Sequence, residues 1–166
     1  VIEPYSETSN PAAAAPADVA SIDAIVTALY DTISGPSGKE RDWNRFRSLF
    51  IPSARMIPTG LRPNGESGVR VLSIENYIAS AEPYLIQNGF FEREIARRVN
   101  RFGNVAQVFS TYDSRHKADD PEPFSRGINS IQLLFERGRW WVVTIFWDAE
   151  RADNPIPEKY LVDGDE

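Results

Sequence analysis

The sequence predicts an α+β domain: helices first, then an antiparallel sheet with the helices packed on one face. Three observations predict it. Apolar residues recur at spacings of three and four from residue 18 to 33, and shorter helical patterns follow at 43–50 and 74–81. From residue 90 the pattern becomes long β-type runs separated by short turns. The 166 residues suffice for one domain with a substantial core, but not for two ordinary ones.

Each element has its own signal. Asp18 reads as an N-cap, and Val19, Ile22, Val26, Leu29 and Ile33 form one apolar helical stripe that Gly35-Pro36 ends. Trp43, Phe46, Leu49 and Phe50 mark a short second helix stopped before Pro52. "ARMIPTG" and "VRVL" are brief strands, and Ser73 caps a third helix bearing Ile74, Tyr77, Ile78 and Ala81, ending at Pro83. The runs "FFEREIARRV" and "VAQVFSTYD" flank the turn "NRFGN". "RGINSIQLLFE" and "RWWVVTIFWDA" flank Arg137-Gly138, a two-residue hairpin loop. Residues 1–17 form a Pro- and Ala-rich arm, 18–150 the domain, and 151–166 a tail with two apolar anchors, Ile156 and Tyr160.

Composition narrows the functional classes. A formal charge of −6 opposes a grip on phosphates, so nucleic acid is not an expected partner. No apolar run reaches the roughly 20 residues of a membrane-spanning helix, so membrane insertion is not expected either. Without cysteine and with one histidine, no Cys/His zinc site can form, and neither a metal nor a cofactor is expected. The compartment stays open. A start at Val1 followed by a linker fits the mature end of an exported chain slightly better than a cytoplasmic terminus.

The last hairpin raises a packing problem, because large apolar residues fill nearly every position from Trp140 to Trp147. With Glu136 opposite Arg139 and no irregularity, one face carries Ile128, Ser130, Gln132 and Leu134 with Trp141, Val143, Ile145 and Trp147. The other carries Leu133, Phe135, Trp140, Val142 and Phe146. Helices in one layer cover one face only, so a second covering is required.

The run of elements, with "DAIVTALYDTISG", "DWNRFRSLFIPSARM" and "GRWWVVTIFWDAE" in that order, resembles the nuclear transport factor 2-like superfamily. The likeness is to its SnoaL-like and ketosteroid-isomerase-like branch and covers roughly residues 18–150. It implies a cone: a curved antiparallel sheet wrapped around the N-terminal helices, with an open-ended cavity and an outer sheet face that forms a homodimer. The resemblance does not bring a catalytic set with it. Met56-Ile57-Pro58 stands where ketosteroid isomerases place a base, Leu29 where they place a tyrosine, and Ser130 where they place a protonated aspartate. Tyr30 lies about 100° around the helix from Leu29. Scytalone-dehydratase-like enzymes use two histidines, and this chain has His116 alone. Limonene-epoxide-hydrolase-like enzymes need an Asp-Arg-Asp group, and regular pairing puts Arg126 and Asp148 on opposite faces.

The expectation is therefore a binding domain for a small, largely apolar molecule, with no reaction identified. The alternatives are an isomerase, dehydratase or hydrolase acting in the cavity, and a dimerisation module. The candidate cavity residues are Ile128, Ser130, Gln132, Ile145 and Trp147, with Tyr30 and Trp43 from the helices. Trp43 fits core packing better than a cavity wall, whereas Trp147 fits both. His116, within "DSRHKADDPEP", reads as a solvated loop residue. Glu92 and Glu94, beside Arg93, Arg97 and Arg98, read as a solvated charge ladder, and "ADNPIPEKYL" as a tail docked on its own domain.

Overall fold

The computed structural model describes residues 13–165, so most of the N-terminal arm lies outside the described residues. Four helices, α1 (Pro16–Val19), α2 (Ile22–Ile33), α3 (Trp43–Ser48) and α4 (Ile74–Asn88), pack inside a curved sheet. Its strands are β1 (Phe50–Leu61), β2 (Ser67–Val69), β3 (Leu72–Ser73), β4 (Phe91–Phe102), β5 (Val105–Arg115), β6 (Ser125–Glu136), β7 (Arg139–Ala149) and β8 (Gly164–Asp165). The order is β2-β1-β7-β6-β5-β4-β8, with β3 also paired to β1. The class is α+β as expected, but the sheet is mixed, because β1 runs parallel to β7 and β8 parallel to β4.

Local chemistry explains the elements and two departures from expectation. The first helical stretch is broken: Ser21, not Asp18, caps α2 by accepting from the Ala24 N–H at 3.0 Å. Asp18 instead pairs with Arg45 at 2.8 Å, tying α1 to α3. Ser73 caps α4 as expected, accepting from the Asn76 N–H at 3.1 Å. That helix does not stop at Pro83 but continues to Asn88. A proline forfeits one intrahelical bond, here to the Ala79 carbonyl on an exposed side, and burial of Leu85 in the next turn favours continuation.

Two bulges shape the sheet. Ile95 is unpaired between Glu94↔Tyr112 and Ala96↔Thr111, and Val143 between Thr144↔Gln132 and Val142↔Leu133. An extra residue bends its strand and shifts the alternation of faces by one. On β7, Trp140, Val142, Ile145 and Trp147 therefore all turn inward, which answers the packing problem of that run. The regular register expected for the hairpin holds only next to its Arg137-Gly138 turn, where both residues take positive φ. The assignment of the hairpin's outer face is corrected accordingly: Leu133, Trp140 and Val142 belong to the core, at 2%, 3% and 0% exposure, and only Phe146 of that set is exposed. Beyond the bulge Arg126 and Asp148 share the outer face, with Arg126 paired to Glu150 at 2.8 Å and Asp148 to Arg151 at 2.8 Å.

The outer face carries the tail. Thr111 Oγ1 donates to the Tyr160 carbonyl at 2.6 Å, Arg98 to the Lys159 carbonyl at 2.8 Å, and the Tyr160 ring meets Phe109 edge-on at 5.0 Å. Residues 151–163 thus lie along their own domain.

At the opposite side, one buried cation ties three segments together. The Arg41 guanidinium donates to the carbonyls of Ile33 (2.9 Å), Gly35 (2.8 Å) and Leu85 (3.2 Å), and also to Lys39 and Pro36. Among the described residues no carboxylate takes part, and burial holds its pKa below the usual arginine range. Gly35 also exchanges two backbone bonds with Phe90, of 2.7 and 3.0 Å, which brings the end of α2 to the start of β4. Arg41→Met should lower the unfolding free energy by roughly 3 kcal/mol, since charge-assisted hydrogen bonds contribute about 1.5–3 kcal/mol each and their acceptors are left buried. Arg41→Lys should recover only part of that loss, because three donors on one nitrogen cannot span five carbonyls. Urea unfolding of both variants checks this; stability equal to that of the parent would show that water serves the carbonyls equally well.

Candidate functional site

A hollow of about 130 Å³ lies between α2, α3, α4 and the concave face of the sheet. Thirteen residues line it, among them Leu29, Ile33, Met56, Ile131 and Ile145, and the rings of Tyr30, Phe46, Tyr77, Phe90, Tyr112 and Trp147. Phe46 stacks on Tyr77 at 5.6 Å, and Tyr77 meets Trp147 edge-on at 6.3 Å, so one wall is a continuous aromatic run. The remaining two lining residues are Glu92 and Asn129.

The polar end is built from neighbouring strands. Glu92↔Ser114 and Glu94↔Tyr112 are register pairs, so these side chains share the inner face of β4 and β5. Ser114 Oγ donates to Glu92 Oε2 at 3.0 Å, and Asn129 Nδ2 donates to Oε1 at 3.4 Å. The Glu92 backbone is fixed as well, its N–H donating to Ser34 Oγ at 3.0 Å. Burial pushes the Glu92 carboxyl up to about 7, with Asp113 adding to the rise and the Ser114 and Asn129 donors opposing it. Tyr30, Tyr77 and Tyr112 are also pushed well above the ordinary phenol range, by burial first and then by the Glu92 charge.

A second chain of hydrogen bonds leaves the hollow in one direction. Asn129 Nδ2 donates to Tyr30 Oη at 3.1 Å, Tyr30 Oη lies 2.7 Å from Ser110 Oγ, and Ser110 donates to Glu94. Glu94 is paired with Arg97 at 2.6 Å and as a carboxylate only accepts. Ser110 must therefore accept from Tyr30, and the Tyr30 proton is committed away from the hollow. Tyr112 stays in the hollow partly because Gly127 lies beneath it: a Cβ there would fall 2.4 Å from the phenol oxygen.

The structure divides the sequence candidates. Tyr30, Ile145 and Trp147 line the hollow. Ile128 and Ser130 face the other way, into a groove of about 430 Å³ between the outer sheet face and the tail, bordered by Phe109, Phe146, Ile156 and Tyr160. Gln132 also lies on that face, its Nε2 3.5 Å from Ser130 Oγ. The reason for the split is Val143: the bulge turns β7 while β6 keeps its alternation, so Asn129 and Ile131 stand inside where Ser130 and Gln132 were expected. Trp43 is core, edge-on to Phe46 at 5.4 Å with its Nε1 donating to Glu82 at 2.8 Å. His116 is half-buried rather than solvated, stacked on Phe124 at 4.1 Å, with Nδ1 3.1 Å from the Gly89 carbonyl oxygen.

The reading of Glu92 and Glu94 as a solvated ladder is corrected too, since Glu92 lines the hollow and Glu94 is 18% exposed. The tyrosine position read at Leu29 has Tyr30 as its inward phenol, and the position read at Ser130 has Asn129 as its inward polar side chain. Glu92, Asn129, Tyr77 and Tyr112 are the polar and phenolic lining residues absent from the sequence candidates, which also lacked Leu29, Ile33, Phe46, Met56, Phe90 and Ile131. The signal for Glu92 and Tyr112 was their place on facing strands; that for Asn129 was hidden by the bulge. Among the described residues, no group of three or more His, Cys, Asp or Glu side chains is arranged to hold a metal ion. No described helix is long and apolar enough to cross a membrane.

No protein-family model and no curated protein sequence matches the chain. Solved structures do. A cystatin-like-fold protein from Nostoc punctiforme superposes with a TM-score of 0.60 at 9% identity, over 79% of this chain and 90% of that one. An NTF2-like protein from Silicibacter pomeroyi gives 0.54 at 18% identity, over 78% and 92%. A candidate ketosteroid isomerase from Shewanella frigidimarina gives 0.50 at 12% identity, over 75% and 91%. At these identities it is the architecture alone that is shared, and the chain has the cystatin-like, NTF2-like α+β fold of these structures.

Proposed function

We propose that the hollow binds a small, largely apolar molecule bearing one polar group, which meets Glu92 and Asn129. The carrying observation is the lining: eleven apolar or aromatic side chains around a single carboxyl and a single amide. Burial of apolar surface drives such binding at about 25 cal/mol per Å², and the few polar groups orient the ligand. Size sets the scale of the ligand. A cavity of about 150 Å³ accommodates benzene, so a hollow of this volume suits a single ring or a short branched chain.

An enzyme of isomerase, dehydratase or hydrolase type is the second reading, and Glu92 is what favours it. A carboxyl at the polar end of an apolar hollow, held near neutrality in its proton affinity, is suited to give and take a proton. Dimerisation, the third, draws support from a different set of side chains than the sequence suggested: Phe146 at 42% exposure, with Ile128 and Phe109 beside it on the outer face. On that basis sedimentation should show a dimer at micromolar concentration that Phe146→Glu dissociates; a monomer unaffected by the substitution removes the idea.

Two tryptophans separate ligand binding from packing. Trp147→Ala should weaken binding of a single-ring probe such as benzyl alcohol at least fivefold, while unfolding stays cooperative. Trp43→Ala should lower stability by roughly 3–5 kcal/mol and leave affinity per folded molecule unchanged. Loss of the fold without loss of affinity in Trp147→Ala would make Trp147 a core residue only.

The carboxyl has its own signature in stability. A folded-state pKa near 7, above the ordinary glutamate value, means the folded chain holds a proton that the unfolded chain has released. Its contribution is fully present below about pH 4.5 and is lost as pH rises through 7. Glu92→Gln should therefore gain stability relative to the parent by roughly 1–3 kcal/mol on going from pH 5 to pH 8. Thermal unfolding at the two pH values reads this; a difference that does not change with pH would place Glu92 in contact with bulk water.

A further inference from the structure

Among the described residues, the hollow joins one carboxyl to six aromatic rings and has no basic side chain in its lining. We propose that its ligand is a small organic cation, a protonated or quaternary amine whose charge meets Glu92 and whose substituents lie against the surrounding rings. This rests on the reading of the hollow as a small-molecule site and names the class of molecule.

Charge balance is the first argument. A carboxylate in apolar surroundings needs a counter-charge, and the nearby guanidinium groups have other partners. Arg93 and Arg115 pair with Asp113, and Arg97 with Glu94 and Asp23. Within the hollow the groups facing Glu92 are uncharged, Tyr30 from α2, Tyr77 from α4, Tyr112 and Ser114 from β5, and Asn129 from β6, while on its other side Glu92 borders a cleft with Asp31, Arg93, Glu94 and Arg115. The charges felt beyond the uncharged groups, Asp113 beside Glu92 and Asp148 beside Tyr112, are negative. Inside the hollow, where Glu92 is the one charged side chain among the described residues, the surroundings therefore favour a positive guest.

Geometry supplies the rest. Ser114 and Asn129 donate to one oxygen each, the arrangement that suits an ionised carboxylate. Ring faces attract cations, most strongly once water is excluded, and Trp147, Tyr77 and Phe46 form an unbroken wall. A neutral guest would leave Glu92 either ionised without a partner or protonated. A cation lets it ionise, so binding releases a proton at pH values where the empty hollow holds one, below about 7.

A charge series of near-equal size tests the proposal: benzylamine, benzyl alcohol and benzoate, titrated calorimetrically into the parent protein at pH 6 and pH 8. The expected result is benzylamine at least tenfold tighter than benzyl alcohol at pH 8, a smaller ratio at pH 6, and no detectable benzoate binding. Proton uptake by the buffer should accompany benzylamine binding at pH 6 and fade at pH 8, as read from two buffers of different ionisation enthalpy. In Glu92→Gln the preference should collapse to within twofold, with benzyl alcohol binding retained; the series on the parent decides the matter even if that variant is unstable. Benzyl alcohol binding as tightly as benzylamine at both pH values would overturn the cation and leave the apolar hollow standing. Failure of all three probes would overturn both.

Discussion

The position of every group in the hollow depends on how the end of α2 is held against the start of β4. Arg41 gathers carbonyls from the end of α2, the following loop and α4, while the Gly35–Phe90 bridge and Ser34 fasten the same point to the strand. A cation among carbonyls is directional in a way that apolar packing is not. Each N–H needs its own acceptor along its own line, so the three segments are fixed in orientation as well as distance. Tyr30 lies one helical turn before Ser34, and Glu92 is the residue that Ser34 grips. The clamp therefore sets the spacing between the phenol and the carboxyl.

On that base the sheet supplies the opposing wall, and its curvature comes from two extra residues. Ile95 and Val143 lie in strands β4 and β7 on either side of the central pair β5 and β6. Each bends its strand, and between them the sheet wraps helices that a flat sheet would touch along one line only. The hollow is the space that remains between that curved surface and α2, α3 and α4. Its walls are well packed among themselves, and its polar end is tied into two hydrogen-bonded chains that terminate on strand β4.

Much of the fold was legible in the sequence, because it rests on periodicities that local chemistry enforces. The helical stripe of Ile22, Val26, Leu29 and Ile33, the cap at Ser73 and the Arg137-Gly138 turn each act within a few residues and lie where the pattern places them. The parallel pairing of β1 with β7 was not legible, since no local signal sets which strand a distant segment joins. The site was half legible for a sharper reason. Alternation assigns faces only while the ladder is regular, and nothing in "WWVVTIFW" marks Val143 as the residue without a partner. Every inner-face assignment on β6 was displaced by one as a result, exchanging Asn129 for Ser130. Glu92 was obscured differently: its arginine neighbours make the segment look solvated, and only the tertiary arrangement shows that those arginines have partners elsewhere.

The bulge at Val143 also makes the interior a matter of parity. Residues before it reach the core when their number is even, and residues after it when their number is odd, as Trp140 and Val142, then Ile145 and Trp147, demonstrate. Were Val143 instead drawn into the ladder with the chain length unchanged, the two sets downstream would be exchanged. Ile145 and Trp147 would move to the outer surface, and Thr144 and Phe146 would line the hollow in their place. The same strand can thus present two different interiors, selected by whether that one residue stays out of the ladder. A single unpaired residue is enough to decide which face of a strand lines the cavity, while the letters of the strand stay as they are.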